Sequence, residues 1–218
     1  MSAHESATVS SHRSDCATLT LWAEDLRALA WLHAAEREPG LLSEAHAAGL
    51  PAQLALDGLA PAVVRSFDHA LGLIGDVSAD ELAADFAAIY LTNAYRASPC
   101  ESVWRDEDGL MLQQPTFDVR DFFRRNRLAA ANWREMPDDH IALELEFLAA
   151  LLERSDAAEA LRFLDKHIMI WVPAFAQAVE SRAATTFYRA LAGLTSEYCA
   201  CLQKTLSTES PVTLQSSA

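Results

Sequence analysis

Of the twelve residues Ile141–Leu152, ten are apolar, and the run carries neither glycine nor proline. A stretch of that length exceeds an ordinary strand and suits three turns of helix. A helix apolar around most of its circumference must be enclosed by other elements. The rest of the chain therefore has to supply a shell, and its residues decide of what kind. Only seven glycines and eight prolines occur in 218 residues, too few for a many-turned β protein, while alanine and leucine recur throughout. Hydrophobic residues make up 51%, enough for one substantial core.

Helical spacing recurs on both sides of that run. In "LTLWAEDLRALAWLHAAE", Leu19, Trp22, Leu26, Leu29 and Leu32 fall on one stripe. "APAVVRSFDHALGLIG" reads as a helix with Pro61 in its first turn. "SADELAADFAAIYL" begins with Ser78 and Glu81 at capping-box spacing. "TFDVRDFFRRNRL", "AAEALRFLDKHIMIWV", "PAFAQAVESR" and "ATTFYRALAGLTSEYCACLQKTL" continue the pattern. Between residues 92 and 113 the period is lost, with Pro99 and the pair Asp108-Gly109 as punctuation. A loop of that length in a compact domain is usually functional or ordered by a partner. The reading is an all-α fold: a single domain of nine or ten helices over 18–206, one long irregular mid-chain loop, and disordered tails at 1–17 and 207–218.

Charge narrows the partners. Seventeen basic residues face 31 acidic ones, a net of −14. Such a chain repels nucleic acid and anionic membranes and attracts basic segments. The same acidity also serves solubility alone. No apolar stretch approaches the ~20 residues of a membrane helix, and the first twenty residues lack a secretory pattern. The four cysteines, 16, 100, 199 and 201, have no metal-binding or redox spacing. A cytoplasmic chain with reduced cysteines and no integral membrane segment is expected.

"MPDDHIALELEF" sets Asp138, Asp139 and His140 in front of the apolar helix. One aspartate is accounted for as a helix cap. The second acid and the histidine are not. His140 and Glu144, four apart, can meet on one face. A metal site would need further ligands, and neither HExxH nor ExxH occurs. No nucleophile elbow, Gly-rich phosphate loop or Walker sequence is present either. No cofactor is expected. In the loop, "SPCESVWRDEDGL" combines Glu101, Ser102 and Trp104, and Tyr90 and Tyr95 precede it. Aromatics beside acids suit a peptide with apolar and arginine side chains; the alternative is that Trp104 plugs the core and tethers the loop.

Three segments in order, "SPCESVW", "PDDHIALELEFLAALL" and "FLDKHIMIWVPAFAQAV", resemble the TorD/DmsD family of cytoplasmic chaperones. The resemblance spans roughly residues 80–195. It implies an all-helical chaperone, not an enzyme, that binds the twin-arginine signal peptide and the apo form of a molybdenum-cofactor oxidoreductase. It also implies assistance in cofactor insertion and delay of export. The family's Asp-His pair maps onto Asp139 and His140, with Pro137 shaping the turn, and the loop motif onto Glu101, Ser102 and Trp104. Where many members carry a proline-rich run before Glu-Ser-Val, this chain has Pro99-Cys100.

For the signal's arginines the candidate carboxylates are Glu101, Asp139 and Glu144; for its apolar stretch, Tyr90, Tyr95 and Trp104. On this reading Asp139→Ala weakens signal binding with little loss of fold. Two other readings stand beside it: a chaperone gripping mainly the mature client, and a small helical metal-dependent enzyme using Asp139, His140 and Glu144. A monomer and a domain-swapped dimer are both compatible with the sequence.

Overall fold

The apolar run forms α7 (Ile141–Glu153), and its flank is taken by the longest helix, α1 (His4–Ala34). The computed structural model describes residues 4–129 and 135–209, with side chains from residue 16. After α1 come α2 (Pro39–Ala47), α3 (Pro61–Gly72), α4 (Ala79–Phe86), α5 (Glu101–Arg105) and α6 (Gln114–Arg125). The chain ends with α7, α8 (Ala157–Phe163), α9 (Met169–Arg182) and α10 (Thr186–Glu209). No strand is found among the described residues, and the fold is all-α as expected.

The stripe read on α1 is the face that is buried: Leu19, Trp22, Leu26, Leu29 and Leu32 all lie in the core. On α7, Glu146 and Glu153 are exposed while most other positions are enclosed, as the composition of the run demands. α10 packs against α9 and α3, closing the far side. Pro61 occupies the first turn of α3, and Ser78 and Glu81 form the full capping box of α4.

Several boundaries differ from expectation. The mid-chain loop contains a short helix, α5, at Glu101–Arg105. Pro173 does not begin a helix but lies inside α9, just after the wide π turn Leu164–Ile168, where backbone pairing already departs from the α pattern. α1 begins at His4 and α10 runs to Glu209, within the segments read as tails; residues 1–3 and 210–218 lie outside the described residues.

Helices and loops are pinned to one another by buried aspartates. Asp25 on α1 accepts the backbone N–H groups of Ala55 (2.8 Å) and Leu56 (3.2 Å) and the hydroxyl of Tyr198 (2.9 Å). Asp85 on α4 accepts from Ala184 and Thr185, just before α10, at 3.0 and 2.7 Å. Both carboxylates satisfy donors that loops and helix ends leave open. The third such residue belongs to the candidate site.

Candidate functional site

Three sequence segments far apart in the chain close on one buried polar cluster. The strand-like residues before α5 and α7 run antiparallel, with a bridge between Cys100 and His140. Glu101 N–H donates to the Asp139 carbonyl (3.0 Å), and Ile141 N–H to that of Pro99 (2.8 Å). The Asp139 side chain then completes the join. Its Oδ2 accepts Ser102 N–H at 2.7 Å, and its Oδ1 accepts the Thr116 hydroxyl at 2.9 Å. Asp139 therefore caps α5 across space rather than α7. The neighbouring Asp138 pairs with Arg120 of α6 at 2.7 Å.

Glu101 is likewise enclosed. One oxygen takes the guanidinium of Arg105, and the other lies 2.9 Å from His167 Nδ1. Glu144 accepts Trp171 Nε1–H at 3.1 Å. Its other oxygen and the Ser102 hydroxyl are buried side-chain atoms without a partner among the described residues. Burial, then the charges of Glu101 and Asp139, hold the Glu144 carboxyl well above the ordinary range. Asp139, Glu101 and Glu144 each have 0% exposure.

His140 is the N-cap of α7, its Nδ1 accepting Ala142 N–H at 3.2 Å. The sequence offered the aspartates for that cap; the structure gives it to the histidine because both carboxylates are committed elsewhere. An accepting Nδ1 fixes the proton on Nε2, and burial keeps the ring neutral, with its pKa lowered to about 3. His140 and Glu144 share a helix face but form no side-chain bond with each other.

Above the cluster lies a cleft of about 210 Å³. Tyr90, Pro99, Pro137 and His140 form part of its wall, and His33 lies at its base. Tyr90 comes from a π turn (Ala87–Leu91) that continues α4. Its ring stacks on Phe86 at 4.7 Å, and its hydroxyl meets His33 Nδ1 at 2.5 Å. His33 Nε2 lies 2.9 Å from Thr195 Oγ1, whose own proton goes to the Leu191 carbonyl. That order makes Tyr90 the donor to His33 and leaves His33 neutral, its pKa lowered to about 3 by burial and by nearby His140. Leu91 and Met111 flank the cleft, 70% and 48% exposed. An apolar trough of about 450 Å³ adjoins it, sharing Ala34 and Met136.

The nine residues singled out by sequence thus divide. Tyr90, Pro137 and His140 line the cleft. Asp139, Glu101, Ser102 and Glu144 form the buried scaffold beneath. Trp104 and Tyr95 line no part of the cleft: Trp104 donates to the Ser98 carbonyl at 2.8 Å and Tyr95 to Asp85 at 2.8 Å, and both hold the loop down. No group of three His, Cys, Asp or Glu side chains among the described residues is placed to hold a metal ion. Sequence reasoning missed His33, Thr116, Glu135 and Met136. His33 carried a readable signal, since it extends the apolar stripe of α1 by a single polar residue that must find partners.

Residues 53–177, more than half of the chain, match the protein family described as nitrate reductase delta subunit. Among curated proteins the chain is similar to the chaperone protein TorD of Photobacterium profundum, 32% identical over 131 residues. That match takes in 55% of this chain and 61% of the relative. It is 33% identical over 148 residues to the chaperone protein TorD of Shewanella sp. (strain ANA-3), with 63% and 71% covered. The match to TorD of Vibrio atlanticus is 28% over 131 residues, 55% of this chain and 61% of that one. The chain thus spans about six tenths of the length of the first of these relatives.

Proposed function

Because this chain belongs to the nitrate reductase delta subunit family, which the TorD chaperones share, we propose that it is a cytoplasmic chaperone for a molybdenum-cofactor oxidoreductase. On this reading it binds the client's twin-arginine signal peptide, assists cofactor insertion into the apo form and delays export. It turns over no substrate. The observation that carries the reading is the convergence of the three motif segments under a single cleft.

Tyr90, Pro137 and His140 are proposed to touch the peptide, His140 through its Nε2–H, which has no partner among the described residues. Asp139, Glu101, Ser102 and Glu144 are proposed to act beneath them, holding the two wall segments in register. Trp104 and Tyr95 contribute by fixing the loop. A net charge of −14 speeds encounter with a basic segment and makes binding weaken with salt. A chaperone must release its client, so a dissociation constant near micromolar, about 8 kcal/mol, is expected.

The test is isothermal titration of the full chain with a synthetic twin-arginine signal peptide, soluble and monomeric, from a molybdoenzyme encoded nearby. Saturable, salt-sensitive heat supports the reading. A silent titration at millimolar peptide moves it to a chaperone that grips the mature client instead.

A further inference from the structure

We infer that Glu135, rather than Asp139, Glu101 or Glu144, is the carboxylate that receives an arginine of the bound segment, whose apolar residues lie over Leu91, Met111 and the trough beyond Met136. This rests on the signal-binding reading above and assigns its charge-reading residue.

The three buried carboxylates are poor receptors. Both Asp139 oxygens are occupied, by Ser102 N–H and the Thr116 hydroxyl, and both Glu101 oxygens by Arg105 and His167. Glu144 is enclosed and bonded to Trp171. Asp139 and Glu101 could take an arginine only by giving up these partners, at the cost of leaving buried donors unpaired, and Glu144, though one of its oxygens is unpartnered among the described residues, has no exposed surface for an arginine to meet. The cleft wall offers a different charge. Glu135 lines it, is exposed, and has no hydrogen bond or ion pair among the described residues. The other titratable side chains there are His33, His140, Tyr90 and Cys100, all buried or partly buried and uncharged at neutral pH. Among the described residues, no cation on that wall competes for the Glu135 carboxylate.

The surroundings also specify the neighbours of the cation in the bound segment. Leu91 and Met111 present apolar surface at the mouth of the cleft. On the far side of Met136 the trough is walled by Trp31, Phe123, Leu143 and Phe147. The acid on that trough, Glu146, already faces Arg27 at 3.5 Å. Among the described residues the surface is therefore one unpaired carboxylate beside two joined apolar depressions. A segment with a guanidinium next to an apolar stretch matches it; an acidic segment does not.

Titration of full-length wild type and Glu135→Gln with the signal peptide, and with the same peptide carrying Arg→Gln at each arginine, tests this. Glu135→Gln is expected to weaken the parent peptide on the order of fivefold at low salt. One of the Arg→Gln peptides is expected to bind wild type and variant alike, which localises the contact. The thermal midpoint of Glu135→Gln stays at the wild-type value, because no described partner is lost.

Equal affinity of wild type and Glu135→Gln for the parent peptide overturns the inference and leaves the signal-binding reading standing. So does a loss that is the same for every peptide. A wild type that binds no signal peptide overturns both. If the peptide is inert and a signal-less client depends on Glu135, the cleft belongs to the mature client. If Leu91→Ser dissolves a dimer of the free protein, it belongs to a second copy. Either result also overturns the inference.

Discussion

Asp139 accepts the backbone N–H of Ser102 at 2.7 Å, a bond between residues 37 apart that caps α5 from the segment leading into α7. The same carboxylate takes the Thr116 hydroxyl, so α5, α6 and α7 meet at one side chain. The most motif-like acid of the sequence is thus an internal fastener. A cleft whose walls come from separate segments needs such a fastener to keep its shape.

Asp139→Ala is therefore expected to cost stability rather than affinity alone, in contrast to the small effect on the fold expected from the sequence. Removing the carboxylate leaves buried donors on Ser102 and Thr116. We expect a loss of about 2–4 kcal/mol, read as a lower urea midpoint. A midpoint within error of wild type, with signal binding lost, would return Asp139 to direct recognition.

Tyr90→Phe removes one hydroxyl and keeps the ring on Phe86. His33 Nδ1 is then a buried acceptor without a donor, and we expect a loss of about 1–2 kcal/mol. Thermal denaturation measures it. An unchanged midpoint would mean that His33 finds another partner.

Acid should weaken the fold through two histidines. His33 and His140 have pKa values lowered from 6.5 to about 3. Between those values the unfolded chain binds protons that the folded one refuses. Their contribution is complete above pH 6.5 and is lost as pH falls toward 3, with a slope of about 1.4 kcal/mol per pH unit for each. Urea denaturation across that range should show the slope, and His33→Gln should reduce it. A flat profile in the wild type contradicts the buried, neutral assignment.

Glu144 works in the opposite direction. Its folded pKa is raised, so above the ordinary carboxyl range the folded protein must hold a proton that the unfolded chain releases. Stability from this group declines as pH rises from about 4.5 toward its folded pKa. Glu144→Gln keeps an oxygen for Trp171 and removes the titration. The variant should gain on wild type progressively as pH rises above about 4.5, and a constant difference there would argue against a raised Glu144 pKa.

Helical class, the enclosed run 141–152 and the buried stripe of α1 were legible in the sequence, because 3.6-residue periodicity and apolar content are local properties. The Asp-His and Glu-Ser segments stood out in the sequence as candidates. Their division of labour did not. Nothing local reveals that Asp139 faces Ser102 and Thr116, that His140 takes the cap, or that Glu144 meets Trp171. Trp104 read as either a contact or a tether and Tyr95 as a contact; their polar ends meet the Ser98 carbonyl and the Asp85 carboxylate, and an aromatic in a loop reads the same whether its polar end meets a ligand or the protein itself.

Sequence by itself determined which segments become helices and which faces turn inward, since burial of apolar surface follows from spacing along a single helix. Tertiary structure alone decided which carboxylates are spent as internal hydrogen-bond acceptors and which, like Glu135, take no partner among the described residues at the cleft. That choice depends on donors brought from 20 to 70 residues away, and no local pattern encodes their arrival.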